Sequence, residues 1–170
     1  MMKNFSPSSA IKSLILATSL CATSFTAFAG PSSQDARMLN IIATDLILAA
    51  KDAEARAQAY PSLDAPEISQ DFVDYMQRFG LSASRLSNLM ERVNGPVDMQ
   101  CIFRGMAKET GDQLFAISQA KTGYEQAQAL NRIVSMLDDA ALVSKAAEQT
   151  LANGTTPITN KTVIGSCPAE

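Results

Sequence analysis

The sequence predicts an all-α protein, a small antiparallel bundle of four to five helices with an extended C-terminal tail tied back by one disulfide. Two observations carry that prediction. Apolar residues recur at helical spacing from about Gln34 to Ala152, with no convincing strand before the tail. Once an N-terminal leader is set aside, Cys101 and Cys167 are the only cysteines left.

The leader comes first. Met1 to Lys12 is charged only at Lys3 and Lys12, the apolar run Ser13 to Leu20 follows, and Ala27-Phe28-Ala29 precedes Gly30. That is a basic n-region, an h-region and an A-x-A cleavage site. We expect cleavage after Ala29 and a periplasmic or secreted mature chain. The run is short and interrupted by Ser and Thr, whereas a transmembrane helix takes about 20 predominantly apolar residues. No stable membrane anchor is therefore expected after cleavage. Leu20 stands before Cys21, where lipid attachment would want a small residue, so lipidation is not expected either. The expected organisation is a signal peptide over 1–29, a helical bundle over 30–154 and a tail over 155–170.

Cleavage leaves 141 of the 170 residues, enough for one domain with a real core. It also leaves 12 basic against 17 acidic side chains. An acidic balance disfavours nucleic acid and anionic lipid, because both are bound by clustered Lys and Arg that displace counterions.

Helix punctuation divides the mature chain. Ser32-Ser33-Gln34-Asp35 reads as a capping box opening a first helix over about Gln34 to Tyr60, which Pro61 closes. Asp64-Ala65-Pro66-Glu67 is the next start signal, leading into Ile68, Phe72, Met76 and Phe79, with Gly80 as a C-terminal stop. Leu81-Ser82 then begins a short third helix bearing Leu86, Leu89, Met90 and Val93, ended by Asn94-Gly95-Pro96. A fourth helix runs from about Val97 to Ala120. Thr122 and Glu125 make a second capping box for the fifth, which reaches about Ala152 before Asn153-Gly154.

Turning each residue by 100° shows the faces. On the fourth helix Met99, Phe103, Met106, Thr110, Leu114 and Ile117 share one side, and Cys101 falls on the opposite one. On the fifth, Leu130, Ile133, Val134, Leu137, Ala140 and Ala141 form the core stripe. The short connection forces these two helices antiparallel, so the tail begins beside the start of the fourth helix. A Cys101–Cys167 bond is then geometrically easy, with Gly105 leaving room for the strap. In an oxidising compartment this bond, closed over a separation of 66 residues, is worth about 4 kcal/mol by chain entropy. A reactive thiolate next to Arg104 is the functional alternative, but no CxxC motif supports it.

The first helix is broader. Met38, Leu39, Ile41, Ile42, Leu46, Leu48, Ala49, Ala50 and Ala53 cover more than half its circumference. Burial inside the domain is the favoured reading, and a face shared with a partner is the other. Asp45 falls within the apolar arc, so it is a possible buried polar residue needing a partner such as Arg104 or Arg132, unless it lies at the edge of the buried zone.

The chain contains no histidine. Ser-His-Asp and Cys-His catalysis, CxxCH haem attachment and His-containing zinc sites are thereby excluded, and two cysteines cannot make a four-cysteine metal site. There is no GxxxxGK[ST], GxGxxG or DxDxDG motif. The adjacent carboxylates Asp138 and Asp139 point about 100° apart on one helix, which suits a solvated face rather than paired acid and base work. Met38, Met76, Met90, Met99, Met106 and Met136 could supply thioethers to Cu(I), but without an MxM or MxxM cluster they read as core filling.

The expectation is therefore a non-enzymatic exported protein with no cofactor. It would bind another protein of the cell envelope through an exposed part of the first helix or the groove beside the strapped tail, in the manner of a chaperone, inhibitor or secretion accessory, or would self-associate through the first helix. The alternative is a bundle that binds a small molecule or copper among Met and Phe side chains.

Overall fold

The computed structural model of the protein describes residues 31–153 and Cys167. The expected leader, and the expected tail apart from Cys167, lie outside the described residues. Four helices are present, α1 (Pro31–Ala59), α2 (Gln70–Arg92), α3 (Val97–Gln119) and α4 (Gly123–Ala152), and the described residues contain no strand. Each helix packs antiparallel to the next and α4 returns beside α1, giving an up-down-up-down bundle. No described helix is long and apolar enough to cross a membrane.

The bundle follows from one spacing. The buried apolar residues of α1 are Ala36, Leu39, Ala43, Leu46, Ala50, Ala53 and Ala57, separated alternately by three and four. Phe72, Met76, Phe79, Ala83, Leu86 and Met90 repeat the pattern on α2. Gln126, Leu130, Ile133, Leu137, Ala140, Ser144 and Ala147 repeat it on α4. A mean spacing near 3.5 keeps one seam facing the neighbouring helices along the whole length, as in coiled coils and four-helix bundles.

The first and last helices form the tightest pair because α1 offers alanine at every second seam position. Polar contacts mark their antiparallel register. Asn40 Nδ2 donates to the Ala141 carbonyl at 2.6 Å, Arg37 meets Glu148 at 2.6 Å, and Asn131 Nδ2 donates to Glu54 Oε1 at 3.1 Å. Where α4 begins, a Cβ on Gly123 would overlap the carbonyl oxygen of Ala57 and stand 2.7 Å from that of Tyr60. Backbone meets backbone there, so the position requires glycine.

The fold differs from the sequence reading in three places. Gly80 does not stop a helix; α2 runs through it, and four helices result rather than five. The heptad pattern continues unbroken across it, and a Cβ at Gly80 would stand 3.2 Å from Thr110 Cγ2 on α3, so the residue permits close helix approach. The Asp64 start signal is also displaced. Ser69 is the N-cap, accepting from the Phe72 amide, while the preceding segment is stitched across the turn between α3 and α4. Ala65 N–H donates to the Lys121 carbonyl and Gly123 N–H to that of Leu63, and Gln126 Nε2 donates to the Pro66 carbonyl. Backbone committed to these bonds cannot also wind a helix. Finally, α1 is helical from Pro31, ahead of the expected capping box.

Other punctuation stands as read. Thr122 and Glu125 form a reciprocal capping box at the start of α4. Asn94 takes a left-handed φ of 52° after α2, with Gly95 N–H on the Met90 carbonyl and Asn94 N–H on that of Glu91, the bonding of a Schellman ending. Cys101 and Cys167 are joined, with Cα atoms 5.3 Å apart.

Candidate functional site

The outer face of α1 is where the structure departs furthest from the sequence reading of that helix. Burial was expected to take up its whole apolar arc. Only the heptad stripe is buried, and Met38, Ile41 and Leu48 remain 54%, 46% and 75% exposed. The reason is geometric. Only α2 and α4 pack against α1, and the alanine seam draws α4 close without widening the contact. Asp45 is likewise exposed. It lies in direction between Met38 and Ile41, on the flank of the solvent face that turns toward α2. Its suggested partners are engaged elsewhere, Arg104 with Glu91 at 3.9 Å and Arg132 with Glu109 at 3.3 Å.

Beside that stripe a groove runs along the seam between α1 and α2. One part, about 300 Å³, is lined by Asp45, Leu46, Ala49, Ser69, Asp71, Phe72 and Tyr75. A second part of about 220 Å³ continues from Ala49, Ser69 and Phe72 toward Ala53, Asp52, Arg56 and Ile68. Ala49 and Ala53 on α1 face Ser69 at the start of α2, and these short side chains leave space that Leu46 and Phe72 do not fill. The floor is apolar and the rim is acidic.

Each rim group has a distinct situation. Asp52 is paired with Arg56 at 3.3 Å, and the guanidinium of Arg78 lies over the Tyr75 ring, 5.4 Å from its centre. Asp71 lies in the first turn of α2, where the exposed amides of a helix N-terminus favour a carboxylate. Among the described residues neither Asp45 nor Asp71 makes an ion pair. This arrangement offers carboxylates, a phenol and an apolar floor, which is recognition chemistry.

A second groove, about 290 Å³, separates α3 from α4 and brings Met106 and Met136 together with Glu109, Arg132 and Asp139. Periodicity places Met106 on a core stripe, but only the pairing of two helices shows that a second thioether lines the same groove. The Thr110 hydroxyl, donating to the Met106 carbonyl, also lies 3.8 Å from Met136 Sδ. Among the described residues no group of three or more Cys, Asp or Glu could hold a metal ion. Asp138 and Asp139 are both exposed and do not converge; Asp138 faces Lys51 at 3.9 Å.

Sequence reasoning missed Ser69, Asp71 and Tyr75 as groove residues. Their polar face on α2 was legible, but nothing in the spacing told which face of α1 it would meet. No protein-family model matches the chain, and no curated protein and no solved structure is significantly similar to it.

Proposed function

We propose that this is a non-enzymatic exported protein that binds another protein of the cell envelope through the outer face of α1 and the groove beside it. The observation that carries the reading is the stripe of Met38, Ile41 and Leu48, three large apolar side chains exposed on one helix face. Singly exposed apolar residues such as Leu81 and Leu142 are ordinary, whereas apolar side chains in a row beside an apolar groove mark an interaction surface. Export rests on the leader, and the Cys101–Cys167 bond agrees with an oxidising compartment.

Site-specific photo-crosslinking in the exporting cell tests it. A crosslinking residue at Leu48 is expected to capture a discrete partner, whereas one at Asp112 on α3 captures none. Equal capture from both positions, or none from Leu48, overturns the assignment.

The second reading, a copper-binding bundle, is favoured by one observation, the convergence of Met106 and Met136 on the α3/α4 groove. Anaerobic Cu(I) competition against a chromogenic chelator decides it. Loss of copper from the chelator that is abolished by Met106→Leu or Met136→Leu supports that reading, and no competition removes it.

A further inference from the structure

We infer that the α1/α2 groove receives a basic, amphipathic helical segment of the partner; this rests on the protein-binding reading and names the chemistry of what is bound. Charge is unevenly placed along the chain. Positions 45–78, which supply the lower half of α1, the connection and the start of α2, carry seven carboxylates against three basic side chains. The rest of residues 31–153 carries nine against eight. Of these carboxylates Asp45, Asp52 and Asp71 line the groove, against Arg56 as the one basic residue lining it.

Within it, Asp45 and Asp71 flank the apolar floor formed by Leu46, Ala49 and Phe72, and neither makes an ion pair among the described residues. An incoming apolar side chain fills the space over Ala49, and Lys or Arg on the flanks of the same segment meets the two carboxylates. From Ile41 to Arg56 the face is about 22 Å long at 1.5 Å per residue, which matches about four turns of a docked helix. That length accommodates anchors at i, i+3 or i+4, and i+7.

The same charges argue against the other occupants. A two-fold pairing of this face with itself sets Asp45 and Asp71 of one copy against the acidic face of the other, and like charges opposed across an interface are costly. An anionic membrane surface is repelled for the same reason.

The experiment uses the mature oxidised chain and three labelled synthetic peptides of about 18 residues, long enough to be helical. The first carries Leu at i, i+3, i+4 and i+7, Lys on the two flanks of that stripe and Ala at the remaining positions, the second has Glu in place of Lys, and the third is a scramble of the first. Fluorescence anisotropy is expected to show binding of the Lys peptide, weakened by salt, with the Glu and scrambled peptides at least about tenfold weaker. The double variant Asp45→Asn, Asp71→Asn, both surface changes, is expected to bind the Lys peptide about fivefold more weakly. Ala49→Phe fills the floor and is expected to block binding with the helical circular dichroism retained. Equal binding of Lys and Glu peptides, equal binding of the scramble, or unchanged affinity in the double variant overturns the inference. Should the Lys peptide fail while Leu48 still captures a partner by crosslinking, the basic occupant is wrong and the protein-binding reading survives. Elution of the protein alone as a dimer that Leu48→Lys dissociates assigns the face to a second copy and overturns both.

Discussion

Glycine in a helix costs about 1 kcal/mol relative to alanine, so what a Cβ would meet decides the sign of a Gly→Ala change. Gly111 stands exposed within α3, and beyond its two chain neighbours and the adjoining backbone of its own helix no described atom lies within 4 Å of where its Cβ would be. Gly111→Ala is therefore expected to stabilise the protein by about 0.5 to 1 kcal/mol. At Gly123 the added carbon would overlap the Ala57 carbonyl, a backbone atom that cannot rotate aside. Gly123→Ala is expected to cost about 2 kcal/mol or more, as overpacking that forces a backbone shift does. Chemical denaturation of the two variants beside the parent measures both, and the same sign for both would refute the close approach of α1 and α4. Asp45 makes a related point at this scale. It is exposed beside the buried stripe, lining the groove next to Leu46, which is the edge position the sequence reading allowed for; the core arc was drawn too wide because the exposed Met38, Ile41 and Leu48 look like core residues when counted by hydrophobicity.

The pairing of α1 with α4 depends on alanine at every second seam position of α1, namely Ala36, Ala43, Ala50 and Ala57. A larger side chain there has to push α4 outward. Ala43→Leu and Ala50→Leu are each expected to destabilise by about 1 to 3 kcal/mol, despite adding apolar surface to a buried site. Ala55→Leu, on the exposed face, is expected to change little, within about 0.5 kcal/mol. Thermal unfolding followed by circular dichroism separates the two cases, and tolerance of leucine at both seam positions would mean the helices are not held at alanine distance. This seam also shows what was legible in the chain. Helix existence, the Thr122 capping box and the Asn94-Gly95 ending were written in local chemistry, and each is present. The passage of α2 through Gly80 and the capping of α2 at Ser69 depended on Thr110 of α3 and Lys121 beyond it. Local signals cannot report such partners, because the tertiary contact overrides the local preference only after the helices have met. The groove was illegible for the same reason: its two walls come from helices whose mutual orientation the spacing leaves open.

Across the whole molecule, the bundle and the disulfide are separable contributions. The core is built from seams on all four helices and includes neither cysteine, Cys101 lying on the opposite side of α3 from Phe103 and Met106. The bond acts mainly by restricting the unfolded chain. For a sequence separation of 66 the chain-entropy estimate is about 4 kcal/mol, with measured cases commonly at 2 to 4. Reduction, or the pair Cys101→Ser and Cys167→Ser, is therefore expected to lower the unfolding free energy by that amount, read as a lower urea midpoint, while leaving the helical signal in water unchanged. The slope of the transition is expected to rise slightly on reduction, because an unfolded chain without the cross-link exposes more surface than a cross-linked one. Collapse of helicity on reduction would instead show that the four heptad seams cannot hold the bundle without the strap. Because the α1/α2 groove draws no wall from α3 or from Cys167, binding of the basic peptide is expected to survive reduction with its affinity within about twofold of the oxidised value. A groove that lost its ligand when the distant bond was cut would have to be coupled to it through the α2/α3 pair, where Ser87 donates to the Gln100 carbonyl one residue before Cys101.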